Sequence, residues 1–185
     1  DTAVSKGALA ELLHFMEQNP QYGAVGGKIY DGDGELERSA GTWPTLFSLI
    51  LDRLLMRWPA LRKLLEFRAH HYWDYGEQRD VGWVTGAYLW VRRDLFERLE
   101  GFDRDIFMYY EDVDLCYRIW EHGGRICFFP GGSIIHYRNK APIQDRHRKH
   151  MMYYGLHQFA SKHYTWRHHG ITRLASRLLV MFKFQ

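Results

Sequence analysis

The sequence predicts an α/β protein with a mixed sheet flanked by helices, and three observations support this class. Segments with helical spacing alternate with short apolar segments that are typical of buried strands. Glycine-rich turns separate these segments. The length of 185 residues suits one domain, and a hydrophobic content of 46% is enough to build a core.

The composition excludes several classes of protein. Lys and Arg total 25 against 22 Asp and Glu, a net charge of +3, so we expect no nucleic-acid partner, because such domains are usually strongly basic. Cys116 and Cys127 have no CxxC partner, which favours a reducing compartment over a zinc or disulfide framework. No apolar run is long enough to span a membrane, and no signal peptide opens the sequence. We therefore expect a cytoplasmic protein.

The first 45 residues predict a helix, a strand and a turn, in that order. A helix is predicted over 5–19, because apolar residues recur at three- and four-residue spacing until Asn19-Pro20. The segment 22–30 (YGAVGGKIY) predicts a strand with close-approach glycines, and DGDG at 31–34 predicts a turn. Residues 35–44 then return as a short strand and a loop.

The segment 46–67 is a basic amphipathic pair of helices, interrupted at Pro59. We interpret 45–68 as a helical insertion. It either forms a lid packed on the domain or contacts a membrane surface through its Leu/Trp face, with basic residues toward anionic headgroups. Both interpretations are compatible, and the second predicts peripheral contact with the inner face of the cell membrane.

The region 70–137 predicts further alternation. A loop over 70–80 precedes a buried strand over 81–91, interrupted at Gly86, where the backbone approaches another group closely. Asp94 is expected to cap a short helix that ends at Gly101. A helix over 112–122 is expected to turn Leu115, Cys116, Ile119 and Trp120 inward. Two short strands, 125–129 and 133–137, flank the turn Pro130-Gly131-Gly132.

The C-terminal 40 residues predict helices. One begins at Arg146 with Met152, Leu156 and Phe159 on one side, and a second amphipathic run covers 171–184. We therefore predict a main unit over 1–145 and a helical extension over 146–185.

The densest polar signal is YYEDVD at 109–114, which places Glu111, Asp112 and Asp114 at the N-terminus of a helix. The positive end of the helix dipole stabilises anions there, so we expect these carboxylates to stay ionised at neutral pH and to be able to accept protons. The simpler interpretation is a capping cluster with Asp112 as N-cap. His136 closes a strand, and a carboxylate-rich site beside an imidazole suits Mn²⁺ or Mg²⁺, although a single histidine is more often structural.

The run 84–137 resembles the acceptor half of family 2 glycosyltransferases with the GT-A fold, close to bacterial rhamnosyltransferase-like members. Its motifs follow the family order: VTGA at 84–87, an RRxxF helix, GFD at 101–103, the EDxDL block, and the closing His136. Upstream, AVGGKIYDGDGELERSAGTWPTLF is similar to the family's segment after its metal-binding Asp motif, which Asp1-Thr2 resembles. The family's N-terminal nucleotide-binding half is absent from this sequence, so the resemblance implies a partial GT-A fold and leaves open whether these residues act alone.

The resemblance implies a role for each matching residue. Asp112 matches the general base that deprotonates an acceptor hydroxyl in an inverting transfer, and Glu111 beside it would orient the base or the acceptor. Asp114 would bind the acceptor or support the helix. Asp1 and His136 match ligands of Mn²⁺ or Mg²⁺ on the departing nucleoside diphosphate. The expected sugar-binding residues are Trp83, which would stack on the acceptor, and Thr85, Gly86 and Ala87, which would line the donor-sugar pocket.

The implied substrates are a nucleotide-sugar donor and a cell-envelope polysaccharide or glycolipid acceptor. Rhamnose from a dTDP-sugar is one candidate, and UDP- or GDP-sugars remain open. A glycoside hydrolase is less favoured, because adjacent Glu111 and Asp112 cannot straddle a sugar ring. Missing sheet strands would leave an exposed edge, which self-association into a homo-oligomer could cover.

The alternative from another class is a non-catalytic polyanion- or carbohydrate-binding module. The segment 138–150 (RNKAPIQDRHRKH) carries five Lys and Arg residues, which could hold phosphate or a polyanion, although such runs are usually solvated faces. Dependence on a divalent ion separates the two functions, because polyanion binding weakens steeply with salt and needs no Mn²⁺.

Overall fold

The computed structural model describes residues 2–45, 74–137 and 145–164, together with 170, 171, 174 and 177. Three predicted features fall partly or wholly outside these residues: the amphipathic segment 46–67, positions 138–144 of the basic stretch 138–150, and most of the second helical run at 171–184.

The described chain alternates strands with helices in the order that the sequence predicts. Its elements are β1 (Thr2–Val4), α1 (Ala8–Gln18), β2 (Tyr22–Asp31), β3 (Leu36–Glu37), β4 (Ala40–Gly41), β5 (Arg79–Asp80), β6 (Trp83–Val84), a 3-10 turn (Gly86–Tyr88), β7 (Leu89–Val91), α2 (Arg93–Arg98), α3 (Glu111–Glu121), β8 (Arg125–His136) and α4 (Asp145–His163).

The main sheet is mixed and has the order β1-β8-β2-β3, with β5 also pairing with β8 and β7 also pairing with β2. β2 and β8 run parallel along most of their length, and the other pairs are antiparallel. A small second sheet joins β4 to β6, pairing Ala40 with Val84 and Gly41 with Trp83. The predicted fold class, a mixed sheet flanked by helices, is confirmed.

Hydrophobic side chains form one cluster on each face of the central strands, because successive residues of a strand point to opposite faces. Ala24 and Ile126 belong to the cluster that includes α3, whereas Val25 and Cys127 belong to the cluster that includes α1. Gly23 on β2 allows α3 to approach, since a Cβ there would overlap the Ile119 side chain. The sheet is thus covered by α3 on one face and α1 on the other.

Three local predictions are wrong in detail. The strands predicted over 125–129 and 133–137 form one strand, β8, whose pairing with β2 shifts register between Phe128 and Ser133. Asp94 lies inside the first turn of α2 and does not cap it; Arg92 is the N-cap. Trp120 is 51% exposed rather than inward. Helical spacing places this side chain at the margin of the apolar face of α3, and the packed sheet covers only the centre of that face.

None of the helices in the described part of the chain is long and apolar enough to cross a membrane. Cys116 and Cys127 are both buried free thiols, and burial raises the pKa of each to about 12.

Candidate active site

Three carboxylates lie in the first turn of α3, directly after two tyrosines with left-handed backbones. Tyr109 has φ 63° and Tyr110 has φ 72°, and Tyr110 is the N-cap of the helix. The interpretation of Asp112 as N-cap is therefore wrong: Asp112 is already helical, and its carboxylate is directed at another segment of the chain. The reason is the left-handed turn, which starts the helix two residues earlier than a side-chain cap at Asp112 would.

The carboxylate of Asp112 binds the segment that follows β6. Its Oδ2 accepts a hydrogen bond of 2.9 Å from the backbone N–H of Gly86, and its Oδ1 accepts one of 2.8 Å from the N–H of Val113. The side chain of Thr85 adds a further hydrogen bond. Burial raises the pKa of Asp112, although these three donors oppose the rise. The group is thus a fixed carboxylate with an increased affinity for a proton.

Glu111 lies beside this base and is partly buried. Among the described residues its Oε2 atom is buried and has no hydrogen-bond partner. Burial, together with the negative charge of Asp112, raises the pKa of Glu111 to about 6. The expectation that the helix dipole keeps these carboxylates ionised at neutral pH stays a prediction, and burial opposes it by shifting the pKa values of Glu111 and Asp112 upward. A buried carboxylate oxygen without a hydrogen-bond donor disfavours the ionised form of Glu111, in line with its raised pKa.

Asp114 is fully buried and ties α3 to α4. Its carboxylate accepts hydrogen bonds from Arg118 (2.7 Å), Lys162 (2.9 Å) and His163 (2.6 Å). Burial alone would raise its pKa, but these donors outweigh it and lower the pKa to about 2. Both carboxylate oxygens are occupied by protein donors. The geometry therefore favours the helix-supporting role for Asp114 over a sugar contact.

In the segment 83–87, Thr85 and Gly86 hydrogen-bond the carboxylate of Asp112. The indole N–H of Trp83 donates to the carbonyl of Thr42 at 2.9 Å, and its ring packs on the hydrophobic core beside α3. Ala87 packs against the opposite cluster, the one that contains α1. The structure thus gathers Thr85, Gly86, Glu111 and Asp112 at one place, with Trp83 and Ala87 on either side of it.

A cleft of about 360 Å³ opens next to Gly86. Its lining combines apolar side chains with one arginine: Gly86, Leu89, Val91, Arg93, Phe96 and Phe102. Gly86 contacts both this cleft and Asp112, so a ligand in the cleft would lie close to the carboxylate. The volume is at the lower end of the range for small-molecule sites.

His136 is the last residue of β8, which lies between β1 and β2 in the sheet. It pairs with Thr2 on one side and Asp31 on the other, and its Nδ1 lies 3.8 Å from Oε2 of Glu37. A carboxylate oxygen suits Mn²⁺ or Mg²⁺, and an imidazole nitrogen suits transition metals, so this pair of donors fits Mn²⁺ better than Mg²⁺. Asp1, the other expected ligand, lies outside the described residues. Within the described residues, no three His, Cys, Asp or Glu side chains are grouped as a metal site would require.

Two residues near the site were missed by sequence reasoning. Glu37 contacts His136, as described above, and nothing in the local pattern distinguishes it from other surface glutamates. Ser39 is 2% exposed; its hydroxyl donates to the carbonyl of Gly27 at 2.9 Å, and its own carbonyl accepts from the N–H of Thr85 at 2.8 Å. The stretch 37–41 therefore connects the His136 side of the site to Thr85, a link that depends on contacts distant in sequence.

Comparison with known proteins identifies the class. The model of the family "Glycosyltransferase like family 2" matches residues 1–165, and the chain belongs to this family. An N-acetylglucosaminyl-diphospho-decaprenol L-rhamnosyltransferase of Mycobacterium tuberculosis is 32% identical over 146 residues, 78% of this chain and 47% of that protein. The rhamnosyltransferase WbbL of Escherichia coli is 44% identical over 57 residues, 31% of this chain and 22% of that protein.

The chain spans about half the length of the M. tuberculosis relative, 47% of it. Among solved structures, GalNAc-T7 with UDP, GalNAc and Mn²⁺ matches with a TM-score of 0.45 at 14% identity, covering 96% of this chain and 36% of that one. A similarity of this size adds nothing to the assignment, which depends on the family model and the relatives.

Proposed function

We propose that this chain carries the catalytic base of a metal-dependent, inverting glycosyltransferase. The enzyme would transfer a sugar, with rhamnose as the leading candidate, from a nucleotide-sugar to a cell-envelope polysaccharide or lipid-linked glycan. Family membership and the rhamnosyltransferase relatives support the class. The observation that carries the mechanism is the Asp112 carboxylate, largely buried, hydrogen-bonded to Gly86 and raised in pKa.

The proposed reaction is a single displacement. An acceptor hydroxyl donates a hydrogen bond to Asp112, which takes the proton as the hydroxyl oxygen attacks the anomeric carbon of the donor sugar. The bond from that carbon to the diphosphate oxygen breaks, and the nucleoside diphosphate leaves with the bonding electron pair. Because the base lies on the face opposite the leaving group, the configuration at the anomeric carbon is inverted. The raised pKa of Asp112 favours its accepting the proton.

Neighbouring residues would position the substrates. Glu111 would turn its carboxylate toward the acceptor and accept a second hydrogen bond from it, and so orient the attacking hydroxyl; its buried Oε2 has no hydrogen bond to give up among the described residues. Thr85 and the backbone at Gly86 and Ala87 would line the donor-sugar pocket, where the absence of a side chain at Gly86 lets the sugar approach the base. Trp83 would offer a ring face to the acceptor sugar.

His136 and Asp1 would hold the divalent cation, with Glu37 beside the imidazole. When bound, such a cation neutralises negative charge that develops on the departing diphosphate.

The test is transfer by the natural polypeptide that carries these residues, given a panel of dTDP-, UDP- and GDP-sugars with lipid-linked acceptors, with and without Mn²⁺. We expect turnover of one donor that requires the metal. Asp112→Asn should lower kcat by about 10²- to 10⁴-fold, because an amide cannot accept the proton. The matched control is Asp94→Asn, which changes an exposed aspartate in the first turn of α2 and should leave kcat unchanged.

Two results would contradict the proposal. Near-normal transfer by Asp112→Asn would exclude Asp112 as the base. No turnover of any donor by the folded protein would favour the non-catalytic binding module, and binding of a polyanion that weakens steeply with salt and ignores Mn²⁺ would then support that module.

A further inference from the structure

The turn that precedes α3 is strained. Tyr109 and Tyr110 are consecutive non-glycine residues with left-handed backbones, a conformation in which the Cβ atom crowds the carbonyl oxygen. Such residues persist only where the surrounding structure imposes them. Because Tyr110 is the N-cap of α3, this turn sets the positions of the next two residues, Glu111 and Asp112.

Helix α4 packs against this turn through a glycine. Gly155 lies inside α4, where glycine weakens a helix relative to alanine. A Cβ at this position would overlap the carbonyl oxygen of Tyr109 and lie 3.1 Å from its carbonyl carbon. The backbone of α4 is therefore in direct contact with the Tyr109 peptide, and only a residue without a side chain allows that approach.

Separate contacts fix α4 on both sides of the turn. Before it, Gln158 donates to the carbonyl of Asp105 at 3.3 Å. After it, Lys162 and His163 bind the buried carboxylate of Asp114. The N–H of Asp114 in turn donates to the carbonyl of Tyr110 at 2.8 Å. The turn is thus enclosed between α4 and the first turn of α3.

We propose that Gly155 is a positioning residue for the transfer reaction: it lets α4 press on the Tyr109 peptide, which holds Tyr109 and Tyr110 left-handed and places Asp112 beneath the N–H of Gly86. This inference rests on the proposed role of Asp112 as base. A base must lie within hydrogen-bond reach of the hydroxyl it deprotonates, so a displaced turn costs rate even where both substrates still bind.

The first test is Gly155→Ala in the natural polypeptide. The added methyl group must push the Tyr109 peptide away, so we expect kcat to fall about 10- to 100-fold. The KM for the acceptor and the affinity for the nucleoside diphosphate with Mn²⁺, measured by calorimetry, should change less than about twofold, because a misplaced base affects the chemical step more than binding.

The matched control is Gly123→Ala at the other end of α3. Gly123 has φ 85° and no atom within 4 Å of an added Cβ, so alanine there strains the backbone without touching the turn. We expect this control to lower the melting temperature and leave kcat unchanged. A kcat for Gly155→Ala equal to that of the control would overturn the proposal.

A second pair of variants tests the strain even where Gly155→Ala does not fold. Tyr109→Ala and Tyr109→Gly both remove the ring, but only glycine adopts a left-handed backbone without cost. We expect the glycine variant to melt about 3 °C higher than the alanine variant. Equal melting temperatures would show that the turn is unstrained and would overturn the proposal.

Double variants test whether glycine at position 109 rescues the loss of kcat caused by Gly155→Ala. In the Tyr109→Gly background, Gly155→Ala should lower kcat less than it does in the Tyr109→Ala background, because glycine keeps the left-handed turn accessible without pressure from α4. Equal losses in both backgrounds would contradict the proposal. Lack of transfer by the unmodified protein would instead be a failure of the proposed function, and the melting temperatures would still report on the turn.

Discussion

Asp112 and Asp114 lie two residues apart on α3, yet their surroundings move their pKa values in opposite directions. Asp112 is partly buried with three neutral donors, so burial dominates and its pKa rises. Asp114 is buried deeper but meets Arg118, Lys162 and His163, so its pKa falls to about 2. Burial favours the protonated form unless charged partners are present. One carboxylate is thereby suited to accept a proton and the other to tie two helices together.

Glu111 shows what the site costs in stability. Its pKa is about 6 in the folded protein against 4.5 for an unperturbed group, so the folded state favours the protonated form. Between pH 4.5 and 6 the unfolded chain releases this proton first, and the free energy of unfolding falls as the pH rises. We expect Glu111→Gln to raise the free energy of unfolding by about 1 kcal/mol at pH 8.

Urea denaturation of both proteins between pH 4 and pH 8 measures this effect. The increase in the free energy of unfolding should disappear as the pH falls below about 4.5, where Glu111 is protonated in both the folded and the unfolded state. Transfer should weaken in the same variant at all these values of pH. A variant that is less stable than the parent at pH 8 would show that Glu111 has a stabilising partner.

Strand β8 contributes to the site at its C-terminal end. Its register shift between Phe128 and Ser133 lets one continuous strand follow β2 from Tyr22 to Asp31. A bulge of this kind changes the direction of a strand and is common near functional sites. Here it brings His136 level with Thr2 on one neighbouring strand and Asp31 on the other, within reach of Glu37.

His136→Ala should change the metal requirement of the enzyme. If the imidazole is a ligand, the Mn²⁺ concentration for half-maximal transfer should rise about 10-fold or more, while kcat at saturating Mn²⁺ falls less. The control is His14→Ala, which removes an exposed imidazole from α1. A metal titration that is unchanged in His136→Ala would reassign His136 to a structural role.

Across the whole molecule, α4 is joined to the sheet domain mainly through α3. Phe159, Ala160 and Tyr164 of the α4 region pack with Val113, and the buried Asp114 binds Lys162 and His163 next to this cluster. A buried carboxylate with its donors in place is tolerated, but removing its charge takes away the carboxylate that Arg118 and His163 bind, while Lys162 keeps its second partner, Asp103.

Asp114→Asn should therefore lower the free energy of unfolding by about 3 kcal/mol at pH 7. The folded pKa of about 2 lies below the unperturbed 3.8, so the stabilisation by Asp114 is present above pH 3.8 and is lost as the pH falls toward 2. Urea denaturation from pH 7 to pH 2 should show that the difference in the free energy of unfolding between variant and parent becomes smaller between pH 3.8 and pH 2.

The control for this comparison is Asp94→Asn. Asp94 forms an exposed pair with Arg98 at 3.5 Å, so its loss should cost less than about 1 kcal/mol. Equal costs for the two substitutions at pH 7 would contradict a structural role for Asp114.

The sequence determined the features that depend on local pattern. Helical spacing predicted α1 and α3, the DGDG run predicted the turn after β2, and the alternation of segments predicted a mixed sheet flanked by helices. The resemblance carried by VTGA, EDxDL and the closing His136 identified the family before any contact was known. These signals can be recognised in the sequence alone because propensity, periodicity and motif spacing are properties of neighbouring residues.

The tertiary structure decided the features that depend on distant residues. Whether Asp112 caps its own helix or binds Gly86, 26 positions earlier, follows from the left-handed Tyr109-Tyr110 turn. Asp114 joins α3 to α4 because its carboxylate binds Lys162 and His163, which lie 48 and 49 positions later in the sequence. From the sequence alone, Gly155 only weakens a helix, and the contact of its backbone with the Tyr109 peptide is visible only in the tertiary structure. Burial and charge come from packing, and packing joins residues that no local pattern relates.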